Sequence, residues 1–156
     1  LQSLSKLRWG LSHGEYIDRL FVVSPFVSLI RSTDTNALLT EVALSSLHKF
    51  ILSGVLADER ANCRLAMCEI VKGVTQCRFE STDARRDEAV LIKILQIQIA
   101  CLKSPTGLRL PDDSVWDVLK TCFRIHRQMR PPDYSELVCD IAETTLAQLI
   151  TIIFSR

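Results

Sequence analysis

The chain has 156 residues, of which 47% are hydrophobic and 24% charged, and its 19 basic and 18 acidic side chains leave a formal net charge of +1. A chain of this length fits one globular domain and buries enough surface to fold without disulfides or a structural metal. The balanced charge excludes the strongly basic character of proteins that bind nucleic acids or anionic membranes. Any partner must therefore bind a local patch.

Cysteine usage and hydropathy indicate the environment of the chain. The chain has no Cys-x-x-Cys motif and no secretory signal. Cysteines that lie in apolar stretches of such a chain are typical of reduced core thiols in a cytosolic protein. The longest strongly apolar run, Ala89–Leu102, contains charged and amide side chains and is shorter than the ~20 residues that span a bilayer. It therefore predicts no transmembrane segment. The cysteines in these apolar stretches are Cys63, Cys68, Cys77, Cys101, Cys122 and Cys139.

Helical periodicity begins in the first third of the chain. Ser24-Pro25 predicts a helix over Phe26–Arg31, because serine is a good N-cap and proline suits the first helical turn. A second helix is predicted from a cap at Asp34 or Thr35 to about Leu52. Its predicted inward residues are Leu39, Ala43, Leu47 and Phe50 or Ile51, and its solvent-facing residues are Glu41, Ser45, His48 and Lys49.

The middle of the chain predicts two further helices. The third covers about Arg60–Gln76, and the fourth, Ala84–Lys103, is apolar on nearly every side. A helix with only a narrow polar strip must be covered by neighbours on both flanks. The inward residues predicted for the third helix are Leu65, Cys68, Ile70 or Val71, and Val74; the polar strip of the fourth is Lys93, Gln96 and Lys103.

Two helices complete the pattern. The fifth begins at Pro111–Ser114 and ends before Pro131-Pro132, with Trp116 expected to pack in the core or between helices. The sixth covers about Tyr134–Phe154. The predicted inward residues are Val115, Leu119, Cys122, Ile125 or His126, and Met129 in the fifth helix, and Val138, Ala142, Leu146, Leu149 and Ile153 in the sixth.

No strand-like alternation extends over six residues outside these segments. The pattern predicts an all-α domain of six or seven helices, arranged as an armadillo- or HEAT-like stack. Because the chain begins with Leu1 and ends within a helical pattern, we expect residues 1–156 to be a single domain of a longer protein.

Catalytic signatures are absent from the sequence. No phosphate-binding glycine loop, nucleophile elbow or His-Glu-x-x-His motif occurs. Cys122 and His126 have a spacing that suits metal ligands, but two ligands do not make a site. His13 and His48 have no nearby nucleophile and are expected at the surface. We therefore predict no catalytic, cofactor or metal site.

Two surface patches are candidates for binding a partner. The segment Thr82–Glu88 forms an interaction corner or, alternatively, caps and neutralises the N-terminus of the fourth helix. Lys120, Arg124, Arg127 and Arg130 form a basic stripe, which is either a partner-binding face or only the solvated side of the fifth helix.

Three ordered stretches resemble a known family. The sequence is similar, from about Leu20 onward, to the N-terminal dimerisation and cyclophilin-binding (DCB) domain of large guanine-nucleotide exchange factors for Arf GTPases, and most of all to the Golgi-type GBF/Gea/GNOM subgroup. Departures lie at Ala57–Ala66 and Arg130–Ser135, outside the core pattern. The stretches are Ala43–Phe50, then Arg78-Phe79 with Thr82-Asp83 and Asp87–Gln96, then Thr121–Ile125; Ser24–Phe26, Gln128–Arg130 and Leu146–Arg156 also follow the subgroup.

The resemblance implies a regulatory role. The exchange reaction in this family uses a glutamate on a loop of a separate central domain, which has no counterpart here, so no exchange activity is expected of this chain. The family implies homodimerisation, contact with the helical domain that follows, and recruitment to the cytoplasmic side of Golgi membranes through proteins there. Arf- or Rab-type GTPases and Golgi tethers are the implied partners, with no cofactor, no nucleic acid and only peripheral, indirect membrane association.

The resemblance also implies a dimer contact. A lysine and a glutamate implicated in dimer formation in the subgroup fall on Lys49 and Glu88. In a two-fold dimer such a pair would form twice; alternatively, both residues make surface pairs within one chain. Two other functions stay open: a monomeric helical docking module that uses the Arg124–Arg130 face, and a small metal or thiol enzyme that uses Cys122 and His126.

Overall fold

The computed structural model describes residues 18–57, 61–78 and 84–155. Six α-helices and one short 3₁₀ helix lie within them, and the predicted all-α class is confirmed. The predicted third and fourth helices match the observed ones to within one residue at each end. The helices are α1 (Arg19–Arg31), α2 (Ala37–Leu52), α3 (Ala61–Thr75), α4 (Ala84–Lys103), α5 (Asp112–Gln128) and α6 (Glu136–Phe154), with the 3₁₀ helix at Gly107–Arg109.

The helices form a stack of three hairpins in two rows. Consecutive helices pair as α1 with α2, α3 with α4, and α5 with α6. Helices α1, α3 and α5 pack side by side in one row, and α2, α4 and α6 in the other. The predicted helical stack is therefore confirmed.

Helix α4 lies at the centre of this stack. It contacts α2, α3, α5 and α6, which confirms that neighbours cover both flanks of the nearly all-apolar helix. Leu95, Ile97 and Leu102 are completely buried along it. Gln98 is also buried, and its side-chain amide has no hydrogen-bond partner among the described residues. Burial of this amide costs free energy that the surrounding apolar contacts must offset.

The predicted starts of the first two helices were wrong. The carboxylate of Asp18 accepts a hydrogen bond from the Leu20 amide (3.0 Å) and caps α1, which continues through Pro25. Residues buried on both sides of this proline hold the helix together although Pro25 has no N–H to donate. The N-cap of α2 is Asn36, whose side chain accepts from the Leu39 amide (3.0 Å).

Two leucines predicted to point inward point outward. Leu39 and Leu65 are each 49% exposed, whereas Leu44 and Met67 are completely buried in the same helices. The other inward residues predicted for α2, which are Ala43, Leu47 and Ile51, are buried, so the predicted face of this helix is confirmed except at Leu39. The predictions for Leu146 and Ile153 were partly right, since both are half-buried and pack against the core.

Helix α6 is long and apolar enough to cross a membrane, by length and composition alone. In the stack it packs against α4 and α5, with Val138, Ala142 and Leu149 buried. The apolar run Ala89–Leu102 lies in the central helix α4 instead. The outward side of α6 nevertheless carries large apolar residues, which are Leu137, Ile150 and Phe154.

The turn after α4 requires a glycine at position 107. A Cβ atom there would lie 1.8 Å from the carbonyl oxygen of Cys101, far inside van der Waals contact. The Ser104 hydroxyl holds this turn, because it donates to that same carbonyl (2.7 Å) and accepts from the Gly107 amide (2.9 Å). The Thr106 hydroxyl donates to the Leu56 carbonyl and ties the turn to the segment after α2.

We expect Gly107→Ala to lower the free energy of unfolding by about 1–3 kcal/mol, since the backbone must shift to admit the methyl group. Urea unfolding followed by circular dichroism measures this loss. Gly54→Asn is the matched control, because Gly54 has a positive φ of 74° but no atom within 4 Å of an added Cβ, and asparagine tolerates that conformation. An equal loss in both variants would contradict the steric explanation.

Candidate interaction surfaces

Lys49 lies on an exposed, largely apolar face of α2. The spacing of residues 38, 42, 49 and 52 places them on one side of the helix, and Leu38, Val42 and Leu52 are all exposed. Lys49 is exposed as predicted, and no ion pair involves it among the described residues. We call these four residues the Lys49 surface. An unpaired cation amid exposed apolar side chains is available for a contact with another molecule.

Glu88 has a structural role within the chain. Its carboxylate accepts hydrogen bonds from the backbone N–H (2.8 Å) and the hydroxyl (2.9 Å) of Ser135. Ser135 is the N-cap of α6, and its own side chain makes no capping bond. Glu88 therefore links the beginning of α4 to the beginning of α6. Glu88 therefore makes a contact within one chain, which is the alternative to a dimer contact. Its partner is a serine and not a cation.

Lys49 and Glu88 lie at opposite ends of neighbouring helices. His48 and Leu52 line the same cavity as Gln96 and Lys103, so the C-terminal halves of α2 and α4 are adjacent. Glu88 is eight residues before Gln96, which is roughly 12 Å along the helix axis. No ion pair joins Lys49 to Glu88 in the described part of the chain. A pair between these two residues therefore requires a second copy.

The two bonds to Ser135 predict an order of destabilisation. Glu88→Ala removes both hydrogen bonds and is expected to cost about 1–2 kcal/mol of unfolding free energy, whereas Ser135→Ala removes only the hydroxyl bond and costs about 0.5–1 kcal/mol. Urea unfolding of the two variants measures both losses. Glu143→Ala, at an exposed position of α6, is the control and is expected to be close to neutral. A larger loss from Ser135→Ala than from Glu88→Ala would contradict the observed geometry.

Three of the four predicted basic residues share one exposed face of α5. Lys120, Arg124 and Arg127 are exposed on this helix, and Arg130 follows the C-cap residue Met129 in the next turn. The Lys120 ammonium lies 2.8 Å from the Asp117 carboxylate, one turn earlier in the helix. Such exposed pairs contribute little to stability. Arg124 and Arg127 make no ion pair among the described residues, so their charge is free for a partner.

Two aromatic residues lie on the same face. Trp116 is 58% exposed, so the prediction that it packs in the core or between helices was wrong. Phe123, for which the sequence carried no prediction of exposure, is 52% exposed. The buried side of α5 is formed by Val115, Val118, Cys122 and Ile125. Helical spacing places position 116 on the same side as positions 120, 123 and 127. The sequence therefore contains a signal that Trp116 and Phe123 share a face with the basic residues. We call Trp116, Lys120, Phe123, Arg124 and Arg127 the Trp116 surface.

Comparison with known proteins identifies the family. Residues 16–156 match the model of the DCB family, described as a Mon2/Sec7/BIG1-like dimerisation and cyclophilin-binding domain. The chain belongs to the DCB family. The predicted resemblance is thereby confirmed, and a DCB domain is a non-catalytic module.

Curated relatives agree with this assignment. The ARF guanine-nucleotide exchange factors GNOM and GNL1 of Arabidopsis thaliana are 39% and 38% identical over the whole chain. A Golgi-specific brefeldin A-resistance guanine nucleotide exchange factor 1 homolog of Caenorhabditis elegans is 35% identical over 86% of it. The chain spans only 11%, 11% and 7% of these three relatives. The family match and these relatives together support a regulatory role for the chain within an Arf exchange factor.

The interaction corner of the DCB domain is described only in part. Thr82 and Asp83, the predicted capping residues, lie outside the described residues, as does His13. Arg85 and Arg86 are exposed, whereas Asp87 is buried. Whether the corner binds a partner stays a prediction.

The cysteine and histidine side chains that the structure describes are not arranged as metal ligands. Cys122 is completely buried, while His126 is half-buried on the next turn of α5. No group of three or more His, Cys, Asp or Glu residues that could hold a metal is found in the described ranges.

His48 lines a cavity beside α4. Burial is the larger cause that lowers its pKa, and the nearby Lys93 ammonium is the smaller one.

All six cysteines are free thiols. Burial raises the pKa of the Cys77, Cys101 and Cys122 thiols to about 12. A thiol with so high a pKa is almost entirely protonated near neutral pH and is a poor nucleophile. These cysteines therefore contribute to packing rather than to thiol chemistry.

We expect Cys101 and Cys122 to resist alkylation by iodoacetamide at pH 8 until the domain unfolds. The partly exposed Cys68 serves as the internal comparison and should react first, because its side chain reaches solvent. Mass spectrometry of peptides after timed labelling, with and without urea, measures the three rates. Labelling of Cys122 in the native state as fast as Cys68 would show that this part of α5 is not buried.

Proposed function

We propose that this chain is the regulatory N-terminal DCB domain of a large Arf guanine-nucleotide exchange factor and that it mediates self-association. The match to the DCB family over residues 16–156 carries this proposal. The GNOM and GNL1 relatives are exchange factors of which the chain matches 11%. The exchange reaction therefore belongs to the remainder of such a protein, and residues 1–156 form one domain of it.

The Lys49 surface is the proposed site of self-association. A two-fold axis beside α2 and α4 would bring Lys49 of each copy to Glu88 of the other, so that the pair forms twice. Glu88 can accept a cation while it holds Ser135, because a carboxylate has about four acceptor positions. Each exposed pair contributes only about 0–1 kcal/mol. Leu38, Val42 and Leu52 would therefore supply most of the affinity, and the ion pairs would set the orientation.

The outward side of α6 is the proposed contact with the helical domain that follows in the longer protein. This helix closes one end of the stack and exposes Leu137, Ile150 and Phe154. The end of a helical stack needs either a polar cap or a further helical layer, and the apolar residues here favour a further layer.

We also propose that the protein to which this domain belongs is recruited to the Golgi in the cell. The name of the Caenorhabditis elegans relative states that it is Golgi-specific. We expect a cytoplasmic protein that associates peripherally with Golgi membranes through Arf- or Rab-type GTPases or tethers, without cofactor or nucleic acid. The near-neutral net charge of +1 gives little attraction to an anionic membrane.

A monomeric docking module is the second candidate function. The exposed aromatic residues and unpaired arginines of the Trp116 surface favour it, because tryptophan and arginine are enriched among residues that dominate binding energy. In that case a small GTPase or an acidic peptide would bind α5.

Light scattering after gel filtration, over a range of concentrations, tests self-association. We expect a dimer for the unmodified chain and about ten-fold weaker association for Lys49→Glu or Glu88→Lys, since each reversal places like charges together twice. The double variant Lys49→Glu/Glu88→Lys should restore the association.

Ser135→Ala controls for the structural role of Glu88. This variant loses the hydroxyl bond to Glu88 but keeps both charges, so it should dimerise like the unmodified chain. A monomer at every concentration for the unmodified chain would rule out self-association. Unchanged association in Lys49→Glu would rule out the Lys49 surface.

A further inference from the structure

The Trp116 surface has no partner within the described chain, although it contains two large aromatic side chains. Exposed tryptophan and phenylalanine on one helix face are unfavourable in water unless another molecule covers them. A groove of about 420 Å³ lies beside Phe123 on this face. It is lined by Lys120, Phe123, Arg124, Arg127 and Gln128.

Charge is ordered along the same helix. Asp112 and Asp113 occupy the first turn, and Arg124 and Arg127 lie near the end. This order complements the helix dipole, which favours acidic residues at the N-terminus and basic residues at the C-terminus. The dipole explains the charges but gives no reason for exposing Trp116 and Phe123 between them. Between the two oppositely charged ends lie these aromatic residues and the Lys120–Asp117 ion pair, which carries no net charge. The ends of such a surface are complementary to each other when two copies pair antiparallel.

The positions of these residues match an antiparallel pairing. Trp116 and Phe123 are centred at about Leu119 along the helix. The acidic turn and the two arginines are centred at about the same residue. A two-fold axis at that level would place the acidic turn of each copy opposite the arginines of the other. It would also bring Trp116 of each copy to the groove beside Phe123 of the other, where the flanking cations can contact the indole face.

We propose that the Trp116 surface is a second self-association surface, at which α5 helices from two copies of this chain pair antiparallel. The inference rests on the proposed self-association of the domain and adds a contact separate from the Lys49 surface. Helix α5 belongs to the row of α1 and α3, whereas α2 belongs to the other row. One copy can therefore use both surfaces at once, and the assembly can grow beyond a dimer at concentrations higher than those at which the Lys49 surface forms a dimer.

The pairing is expected to be weak and salt-dependent. Helix α5 has 17 residues and is about 25 Å long, so one helix pair covers less area than a standard protein interface. The charges at its ends are exposed and are screened by salt. Association through this surface should therefore weaken as sodium chloride rises from 50 to 500 mM.

Charge reversal on a Lys49→Glu background isolates this surface, because that background weakens the Lys49 surface. The acid-reversed variant carries Asp112→Arg/Asp113→Arg, and the base-reversed variant carries Arg124→Asp/Arg127→Asp. Sedimentation velocity should detect a concentration-dependent dimer for the background. Each reversed variant alone should associate at least ten-fold more weakly, because like charges then meet at both ends of the helix pair.

Mixing the two reversed variants is the decisive measurement. In a mixed pair, the new arginines face the new aspartates at one end, and the original charges face each other at the opposite end. An equimolar mixture should therefore form a dimer at concentrations where each variant alone is a monomer. A folding defect in either variant would not produce this rescue.

Two further variants serve as controls. Trp116→Ser/Phe123→Ser should abolish the pairing without loss of unfolding free energy, since both side chains are exposed. Asp140→Arg/Glu143→Arg changes the net charge as much as acid reversal does, but on α6, and should leave the association unchanged.

The outcomes separate this inference from the proposed function. If the unmodified chain dimerises but the Lys49→Glu background is monomeric at every concentration, the Trp116 surface is overturned and the proposed function stands. If the Lys49→Glu background associates and no α5 variant changes that association, the Trp116 surface is overturned as well. A mixture that stays monomeric overturns the antiparallel pairing. An unmodified chain that is always monomeric removes the proposed self-association and this surface together.

Discussion

The burial of α4 is the constraint on which the rest of the stack depends. Its apolar residues point in nearly every direction, and they leave water only when four other helices surround it. Those helices must turn their apolar faces toward α4 and toward their own hairpin partners. Their remaining sides form the surface of the domain. The outward residues of the surrounding helices are therefore the ones available to a partner, and those of α2, α5 and α6 include large apolar side chains.

Glu88 makes a contact within the fold and is also the residue proposed to pair with Lys49 of a second copy. Its carboxylate holds Ser135 at the start of α6 and still has free acceptor positions. A change at Glu88 alters both the α4–α6 junction and any pairing with Lys49, so its effect on oligomeric state has two physical origins. Lys49 has no such structural contact among the described residues, and its substitution is the cleaner test of the Lys49 surface.

The chemistry of the domain is that of a scaffold. Burial raises the pKa of the Cys101 and Cys122 thiols and keeps them protonated, and the described histidine and cysteine residues are not grouped as metal ligands. Exposed apolar residues instead occur on several sides of the domain, among them the Lys49 surface, the Trp116 surface and the outer side of α6. Separate patches on different sides allow a regulatory domain to join copies of itself and neighbouring domains at the same time.

The sequence by itself determined the helical class, the bounds of α3 and α4, and the family, because apolar periodicity and ordered motifs are carried by residues close together in the chain. It placed the caps of α1 and α2 wrongly, since Asp18 and Asn36 compete with other good capping residues nearby. Only the tertiary structure decided that Trp116 faces outward, that Gln98 is buried, and that Glu88 bonds to Ser135, 47 positions away. The physical reason is that periodicity shows which residues share a helix face, whereas the neighbouring helices decide which face is inside.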